Sequence, residues 1–317
     1  MTVEVVTFGE TMILFNPGES GSLKYVNQFT KQIGGAESNF AIGLAHLGIR
    51  AGWISRLGND SLGDYMEALI RGEGVDVSRV KRDPEYPTGL MIKERKDLGE
   101  SKVYYYRKNS AASRLSPADL DEEYLSQAKY LHITGITPAL SSSCREAVYH
   151  AIKIARANGL QVTFDPNLRL KLWPRQEMRR VILDLCRSVD IVLPGLSEGQ
   201  LLFQKEEQDE ILDEFLKLGP AVVVMKTGAE GAVVATPDSR EKVAGYPVER
   251  IVDPIGAGDG FAAGFVTGLL KGYSLVESVQ LANAVGAFAL TVKGDIEGLP
   301  TWDELQVFLG QAEEIGR

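Results

Sequence analysis

The residues best suited to chemistry lie in one glycine-rich stretch, residues 253–264, with the sequence DPIGAGDGFAAG. Gly256, Ala257 and Gly258 are small enough for the backbone to approach a bulky ligand closely. We expect a helix over residues 259–271, because its small residues permit tight packing. A glycine-rich turn that enters a helix N-terminus presents free N–H groups and about half a positive charge to an anion. This stretch therefore predicts a phosphate site.

Asp259 follows directly after the turn, where a carboxylate beside a phosphate is unfavourable unless it has a task. Phosphoryl transfer supplies one, since an Asp can accept the proton of the attacking hydroxyl as the phosphoryl group moves. The alternative is that Asp259 only caps the helix, because Asp is a favoured N-cap residue. The segment favours the catalytic role and leaves the capping role open.

Two common nucleotide-binding motifs are absent from the sequence. The dinucleotide fingerprint needs Gly at its sixth position, where this stretch has Phe261, and it normally follows the first strand. The P-loop pattern G-x4-G-K-[ST] does not occur anywhere in the chain. A protein that transfers phosphate with this sequence must therefore bind the phosphates by other means.

The glycine-rich turn has to be positioned by the elements around it, which alternate between short apolar strands and helices. We predict strands at 3–8, 51–57, 130–133, 161–165, 191–193 and 221–226, with helices that include 38–47, 62–71 and 144–158. Buried strands that alternate with helices indicate an α/β fold with a mostly parallel sheet, covered on both faces. We expect one domain over residues 1–317.

Two stretches depart from this alternation, one within residues 10–33 and one within residues 88–110. Both resemble antiparallel strands, and the second contains an apolar and aromatic segment, residues 103–106. We predict that they form a small sheet outside the main one, which could cover a pocket as a lid. The alternative is a surface hairpin without a function.

Composition narrows the class of partner. The chain has 317 residues and a net charge of −9, so it offers no basic surface for a nucleic acid. No stretch reaches the roughly 20 apolar residues of a membrane span, and the first residues do not resemble a signal peptide. Two cysteines cannot build a disulfide framework. We therefore predict a cytoplasmic protein that acts on a small molecule.

Two separated motifs, GGAESN at residues 34–39 and the stretch at 253–264, together resemble the PfkB, or ribokinase-like, carbohydrate kinases. The resemblance covers essentially the whole chain. It implies a three-layer α/β/α fold with a small antiparallel lid sheet, ATP as phosphate donor and Mg²⁺ to neutralise the phosphates. In some relatives a monovalent cation such as K⁺ also binds, and Asp253 could contribute to that site. The alternative is that Asp253 has only an ordinary cap or turn role.

The resemblance also implies roles for individual residues. Asp259 matches the catalytic base, and the anion hole matches Gly256, Ala257 and Gly258. The nucleotide would also contact Lys226, Thr227, Gly228, Gly231 and Asn283. One motif departs from the family, because Gly195 replaces the Asn of an Asn-x-x-Glu pattern. Glu198 retains the Glu, so we expect it to support Mg²⁺ indirectly, through water.

The lid segment bears on the choice of sugar. On a strand, Tyr105 and Arg107 point to the same side. Arg169 follows a predicted strand, at the end where α/β sheets bind ligands. Two arginines could converge on the carboxylate of a sugar acid, with charged hydrogen bonds of about 1.5–3 kcal/mol each. The alternative is that Arg107 is a surface charge of the lid and Arg169 forms a salt bridge within its loop.

The context of these arginines resembles the 2-keto-3-deoxygluconate kinase branch of the family. That resemblance implies phosphorylation of the terminal hydroxyl of this sugar acid and the substrate contacts Gly34, Gly35, Asn39, Tyr105, Arg107, Arg169, Asp259 and Asp295. It also predicts a homo-oligomer that forms through the lid. Three alternatives remain open: a fructose or ribose kinase, a nucleoside kinase, and a binding module without catalysis.

Overall fold

The structure is a computed structural model that describes residues 2–96 and 102–311. Residues 97–101 of the second predicted lid stretch lie outside the described residues. The strands are β1 (Val5–Phe8), β2 (Met12–Pro17), β3 (Phe29–Gly34), β4 (Ala51–Ile54), β5 (Arg56–Gly58), β6 (Lys81–Asp83), β7 (Leu90–Glu94), β8 (Lys102–Tyr106), β9 (Tyr130–Thr134), β10 (Gln161–Asp165), β11 (Ile191–Val192), β12 (Val222–Lys226), β13 (Ala232–Ala235) and β14 (Arg240–Val243).

Helices connect most of these strands. They are α1 (Ala36–His46), α2 (Ser61–Gly72), α3 (Glu122–Ser126), α4 (Thr137–Leu140), α5 (Ser142–Ala157), α6 (Arg175–Cys186), α7 (Leu196–Phe203), α8 (Gln208–Leu218), α9 (Ala257–Leu270), α10 (Leu275–Ala289) and α11 (Trp302–Phe308). Within the described residues, no helix is long and apolar enough to cross a membrane.

The main sheet has eight strands in the order β14-β13-β12-β11-β10-β9-β1-β4. Neighbours from β4 to β12 pair in parallel, and β13 and β14 add an antiparallel edge. Side chains alternate between two cores, so that Val6 packs with the helices α5, α6 and α8 while Val5 packs with α1, α9 and α10. The predicted parallel sheet with helices on both faces is confirmed.

A second sheet of four strands, in the order β3-β2-β7-β8, forms the predicted lid. Its outer pairs, β2–β3 and β7–β8, are antiparallel, whereas the central pair β2–β7 is parallel. The lid carries exposed aromatic side chains: Tyr25, Phe29, Tyr104, Tyr105 and Tyr106. The sheet is short and open to solvent on part of one face, so it depends on the main body for much of its packing.

Helix α9 begins at Ala257, two residues earlier than the sequence predicts. The N-cap is Gly256, with φ 83°, a left-handed conformation that favours glycine. Asp259 is consequently the third residue of the helix, and the N-cap Gly256 has no side chain that could cap the N-terminus. The position of the turn is confirmed, and the alternative that Asp259 is the N-cap is wrong.

Candidate active site

A cavity of about 530 Å³ lies between the carboxyl edge of the main sheet and the lid. Parallel strands place their following loops at one edge, which is where α/β sheets bind ligands. Residues from three of these strand ends line it: Glu10, Asp165 and Lys226. The lid contributes Met91, Lys93, Val103 and Tyr105. The start of α9 closes the remaining side.

The turn at Gly256 is built so that only glycine fits. A Cβ at this position would collide with the backbone carbonyl oxygen of Asp295, in addition to the unfavourable φ. The first bond of the helix runs from Gly260 N to Gly256 O at 2.8 Å. The N–H groups of Ala257, Gly258 and Asp259 precede that bond and have no acceptor within the helix. The turn therefore offers three backbone donors to an anion.

Asp259 lies in the cavity beside this turn and is half-buried. Asn39, in the first turn of α1, donates a hydrogen bond from Nδ2 to Asp259 Oδ2 at 2.8 Å. Burial raises the pKa of Asp259 to about 7, although the hydrogen bond from Asn39 opposes this rise. A carboxylate with a pKa near the working pH can accept a proton at one stage and release it later.

Lys226, the last residue of β12, donates from Nζ to Asp165 Oδ2 at 2.7 Å. Burial alone would lower the pKa of Lys226, but the charges of Asp165 and Glu198 outweigh it and raise the pKa. A Cβ on Gly258 would lie 3.7 Å from this ammonium group. Lys226, which the sequence predicts near the nucleotide, is thus a cation next to the turn at residues 253–258. We call this turn the phosphate turn, after the ligand that the sequence predicts for it.

The other side of the cavity is formed by two consecutive glycines. A Cβ on Gly34 would collide with the carboxylate of Asp295, and one on Gly35 would lie 2.5 Å from the backbone oxygen of Glu10. The Oδ1 atoms of Asn39 and Asp295 are buried without a hydrogen-bond partner among the described residues. Buried acceptors of this kind normally have a partner, and sugar hydroxyls could donate to both.

The two candidate arginines line the same cavity but differ in their partners. Arg107 Nη2 and Nε lie 2.6 and 2.7 Å from Oε2 of Glu10, a carboxylate that is fully buried. Arg169 is exposed and forms no ion pair within the described chain. Within the described chain, Arg169 therefore does not form the loop salt bridge that was the alternative for it. Arg107 is paired with a buried carboxylate, so the alternative that it is a surface charge of the lid does not fit. Tyr105 lies beside Arg107, with its ring centroid 5.8 Å from the guanidinium carbon.

Glu198 accepts two backbone hydrogen bonds, from Leu168 N and from Gly195 N, both at 2.7 Å. Burial raises the pKa of Glu198, and the nearby charge of Asp165 adds to the effect. In the described parts of the chain, no group of three or more acidic, His or Cys side chains could hold a metal alone. The acidic side chains of the site therefore fit a Mg²⁺ that is held mainly by nucleotide phosphates and water. Glu198 would support such an ion indirectly, through water.

Four of the residues predicted to bind the nucleotide lie outside the cavity lining: Thr227, Gly228, Gly231 and Asn283. Asn283 donates from Nδ2 to the carbonyl oxygens of Val243 and Ala244, at 3.2 and 3.0 Å. Gly231 packs against that same carbonyl of Val243. Ala257 also lies outside the lining, and its contribution is confined to its backbone. Adenine contact by this group stays a prediction.

Three charged residues of the cavity lining were not predicted from the sequence: Glu10, Lys93 and Asp165. Glu10 follows the apolar strand β1, and Asp165 is the last residue of β10. Ligands bind at this end of the strands in α/β sheets, so the position of both residues could have identified them as site candidates. Lys93 shares a strand face with Met91 two residues earlier, so the alternation of β7 places both over the cavity.

The chain is similar to known proteins over almost its whole length. The model of the pfkB family carbohydrate kinases matches residues 3–302. The chain belongs to this family. Its carbohydrate-kinase relatives include a 2-dehydro-3-deoxygluconokinase of Bacillus subtilis, 46% identical over 99% of this chain and 98% of the relative.

Two further relatives are similar to this pfkB kinase. A 2-dehydro-3-deoxygluconokinase of Thermoproteus tenax is 38% identical over 97% of this chain and 94% of its own. A suspected ribokinase II from E. coli, solved in complex with ATP and Mg²⁺, has a TM-score of 0.91 and 29% identity, and the match covers 98% of this chain and 100% of that one. The predicted family and the ribokinase-like fold are both confirmed.

Proposed function

We propose that this pfkB kinase transfers the γ-phosphoryl group of ATP to the terminal hydroxyl of 2-keto-3-deoxygluconate, which is also named 2-dehydro-3-deoxygluconate. The product would be the 6-phosphate of the sugar acid. One observation carries the proposal: a half-buried Asp259 stands beside an uncapped glycine turn in a cavity lined by two arginines. The names of the relatives from B. subtilis and T. tenax support the choice of sugar.

In the proposed reaction, Asp259 accepts the proton of the sugar hydroxyl as its oxygen attacks the γ-phosphorus. The new O–P bond forms while the bond from the γ-phosphorus to the bridging oxygen breaks, and ADP leaves. Asn39 holds the carboxylate oxygen Oδ2, which leaves Oδ1 free for the hydroxyl. A pKa of about 7 means that a substantial fraction of Asp259 is ionised and ready to act as base.

Charge develops on the phosphoryl oxygens during transfer, and preformed donors can stabilise it. We assign this task to the backbone N–H groups of Ala257, Gly258 and Asp259. Lys226 adds a positive charge next to Gly258. Mg²⁺ would neutralise the phosphates, with Glu198 as indirect support, and a monovalent cation such as K⁺ stays a prediction.

We assign the sugar carboxylate to Arg169, assisted by Arg107. The guanidinium of Arg169 has no ion-pair partner in the described chain, so it can pair with a ligand without breaking a contact. Arg107 is held by Glu10 and lines the cavity. Asn39 Oδ1 and Asp295 Oδ1 can accept from sugar hydroxyls, and Gly34, Gly35 and Tyr105 complete the sugar side.

Three broader predictions accompany this function. The chain would act as one domain over residues 1–317, in the cytoplasm and without a nucleic-acid or membrane partner. Two copies would associate through the lid, which is consistent with its exposed aromatic side chains. Sedimentation of the purified protein tests the association, since a monomer at micromolar concentration would contradict it.

A substrate panel tests the proposed function. Purified protein is assayed for ADP release with 2-keto-3-deoxygluconate, its galactonate epimer, fructose, ribose and a nucleoside. We expect the highest kcat/KM with a 2-keto-3-deoxy sugar acid, and ³¹P NMR of the product should place the phosphate on the terminal oxygen. Turnover of fructose with no reaction of the acid would favour the neutral-sugar alternative. Sugar binding without any ADP release would favour a binding module.

A further inference from the structure

One cation in the cavity has no role in the reaction described above. Lys93 is 8% exposed and projects from β7 of the lid toward the main body. Its Nζ lies 3.4 Å from Asp253 Oδ2 and 3.6 Å from Asp295 Oδ1. The side chains of both aspartates are largely buried. A buried charge is costly unless it is paired, so Lys93 depends on the lid and the main body being in the relative positions that bring it to both carboxylates.

The two carboxylates belong to opposite sides of the site. Asp253 begins the phosphate turn, and its Oδ1 accepts from Ile255 N at 3.1 Å, just before Gly256. Asp295 touches both sides, because its carboxylate packs against Gly34 and its backbone oxygen packs against Gly256. Lys93 therefore connects the lid with the phosphate turn and with the sugar side at once.

The charge balance argues against Lys93 as the partner of the sugar carboxylate. The ammonium group of Lys93 faces the carboxylates of Asp253 and Asp295. With both carboxylates ionised, these three groups have no net positive charge that could attract an anionic ligand. Arg169, by contrast, has no carboxylate partner in the described residues. Burial raises the pKa of Asp295 to about 6, while Lys93 opposes that rise. Lys93 thus acts on other protein groups rather than on the substrate.

We propose that Lys93 is a positioning residue that couples the sugar side of the cavity to the phosphate turn. A sugar under the lid holds β7 in the place from which Lys93 reaches Asp253 and Asp295. The turn is then fixed in the shape that accepts phosphate. A nucleotide bound at the phosphate turn holds Asp253 and Asp295 in the positions that Lys93 contacts. It thereby favours the position of the lid that binds the sugar. The inference rests on the proposed function, because it requires both ligands in this cavity.

Coupling of this kind is reciprocal, so it can be measured by binding alone. Calorimetry gives the Kd of 2-keto-3-deoxygluconate with and without a saturating, non-hydrolysable ATP analogue and Mg²⁺. We expect the analogue to tighten sugar binding by about 5-fold or more in the wild type, within the usual range of coupling between sites. In Lys93→Met this ratio should fall to below about 2, and Lys93→Arg should recover part of it.

Two more variants make the comparison specific. Asp253→Asn removes the partner instead of the lysine and should lower the ratio in the same way. Lys102→Met is the matched control, because Lys102 is an exposed lid lysine outside the cavity lining, and it should retain the wild-type ratio. Thermal unfolding establishes that each variant is folded. If Lys93→Met does not fold, Lys93→Arg and Asp253→Asn decide.

An unchanged ratio in folded Lys93→Met or in folded Asp253→Asn overturns the inference, and so does a ratio near one in the wild type. Failure of the proposed function has a different signature. If the wild type phosphorylates another sugar, the assigned substrate is wrong. The binding titrations are then made with that sugar, and they still test the coupling through Lys93. A wild type that binds no sugar overturns both.

Discussion

The ionisation of Asp259 depends on opposing features of its surroundings, of which burial and the hydrogen bond from Asn39 are the largest. Burial disfavours the charged form and raises its pKa to about 7, whereas the amide of Asn39 donates to the carboxylate and favours the charged form. A base is active only when it is deprotonated. We therefore expect Asn39, which does not take part in the proton transfer, to contribute to the pH at which the protein gains activity.

Replacement of Asn39 by Ala tests this balance. Loss of the hydrogen bond should raise the pKa of Asp259 further, so the acidic limb of the kcat/KM profile should move to higher pH. The variant should accordingly lose more activity at pH 6 than at pH 8, relative to the wild type. Steady-state kinetics from pH 5.5 to 9 measure this. An acidic limb that stays in place would show that Asn39 does not control the base.

The two arginines should respond differently to removal. Arg169→Ala should raise the KM for the sugar acid about 10- to 100-fold, which corresponds to the loss of one or two charged hydrogen bonds. Folding stability should change little. Arg107→Ala leaves the buried carboxylate of Glu10 without its cation, which typically destabilises a protein by about 3–5 kcal/mol. Substrate kinetics and thermal unfolding of both variants separate these effects. Equal loss of stability in the two variants would contradict the assignment.

Among the elements, the helix that starts at the phosphate turn illustrates what the sequence could and could not predict. The glycines and small residues of 253–264 located the turn correctly. The start of the helix was two residues off, because the left-handed Gly256 acts as N-cap without a side-chain cap. The small sheet was also predicted, although its central parallel pair β2–β7 was not. Pairing between strands distant in sequence depends on tertiary packing that local patterns do not contain.

A glycine substitution tests whether the turn needs its present shape. Gly256→Ala should retain the fold but lose activity by about 100-fold or more, because a Cβ collides with Asp295 and shifts the backbone donors. Gly272→Ala is the matched control, since Gly272 has a similar φ of 80° and no atom of the described residues lies within 4 Å of an added Cβ. The control should be about 1–2 kcal/mol less stable and fully active. Equal activity in both variants would contradict the role of the turn.

For the whole molecule, the site depends on contacts between residues that are far apart in the chain. Asn39 and Asp259 are 220 residues apart, and Lys93 and Asp253 are 160 apart. The sequence predicted most of the charged residues that line the cavity, and the family resemblance supplied several of their roles. It could not predict that Arg107 pairs with Glu10 or that Lys93 enters the cavity. Such pairings are fixed only when the lid folds onto the main sheet.

The charge at the site should also be visible in folding stability. Asp259 has a folded-state pKa raised from 3.8 to about 7, so its ionisation destabilises the ligand-free protein. Its contribution is most favourable below pH 4 and is lost as the pH rises to about 7. Asp259→Asn should therefore raise the melting temperature by a few degrees at pH 8, and by less at pH 5. Calorimetry at the two pH values measures this. A lower melting temperature at pH 8 would argue against a buried charge.

The most direct test of the account is the turnover of Asp259→Asn. With the sugar acid and ATP, kcat should fall about 10²- to 10⁴-fold, the usual worth of a positioned general base. The affinity for the ATP analogue should be largely retained, because the donors of the turn are backbone groups. Single-turnover kinetics and calorimetry on the same preparation give both numbers. Near-normal phosphoryl transfer by this variant would contradict the account, since the base would then lie elsewhere.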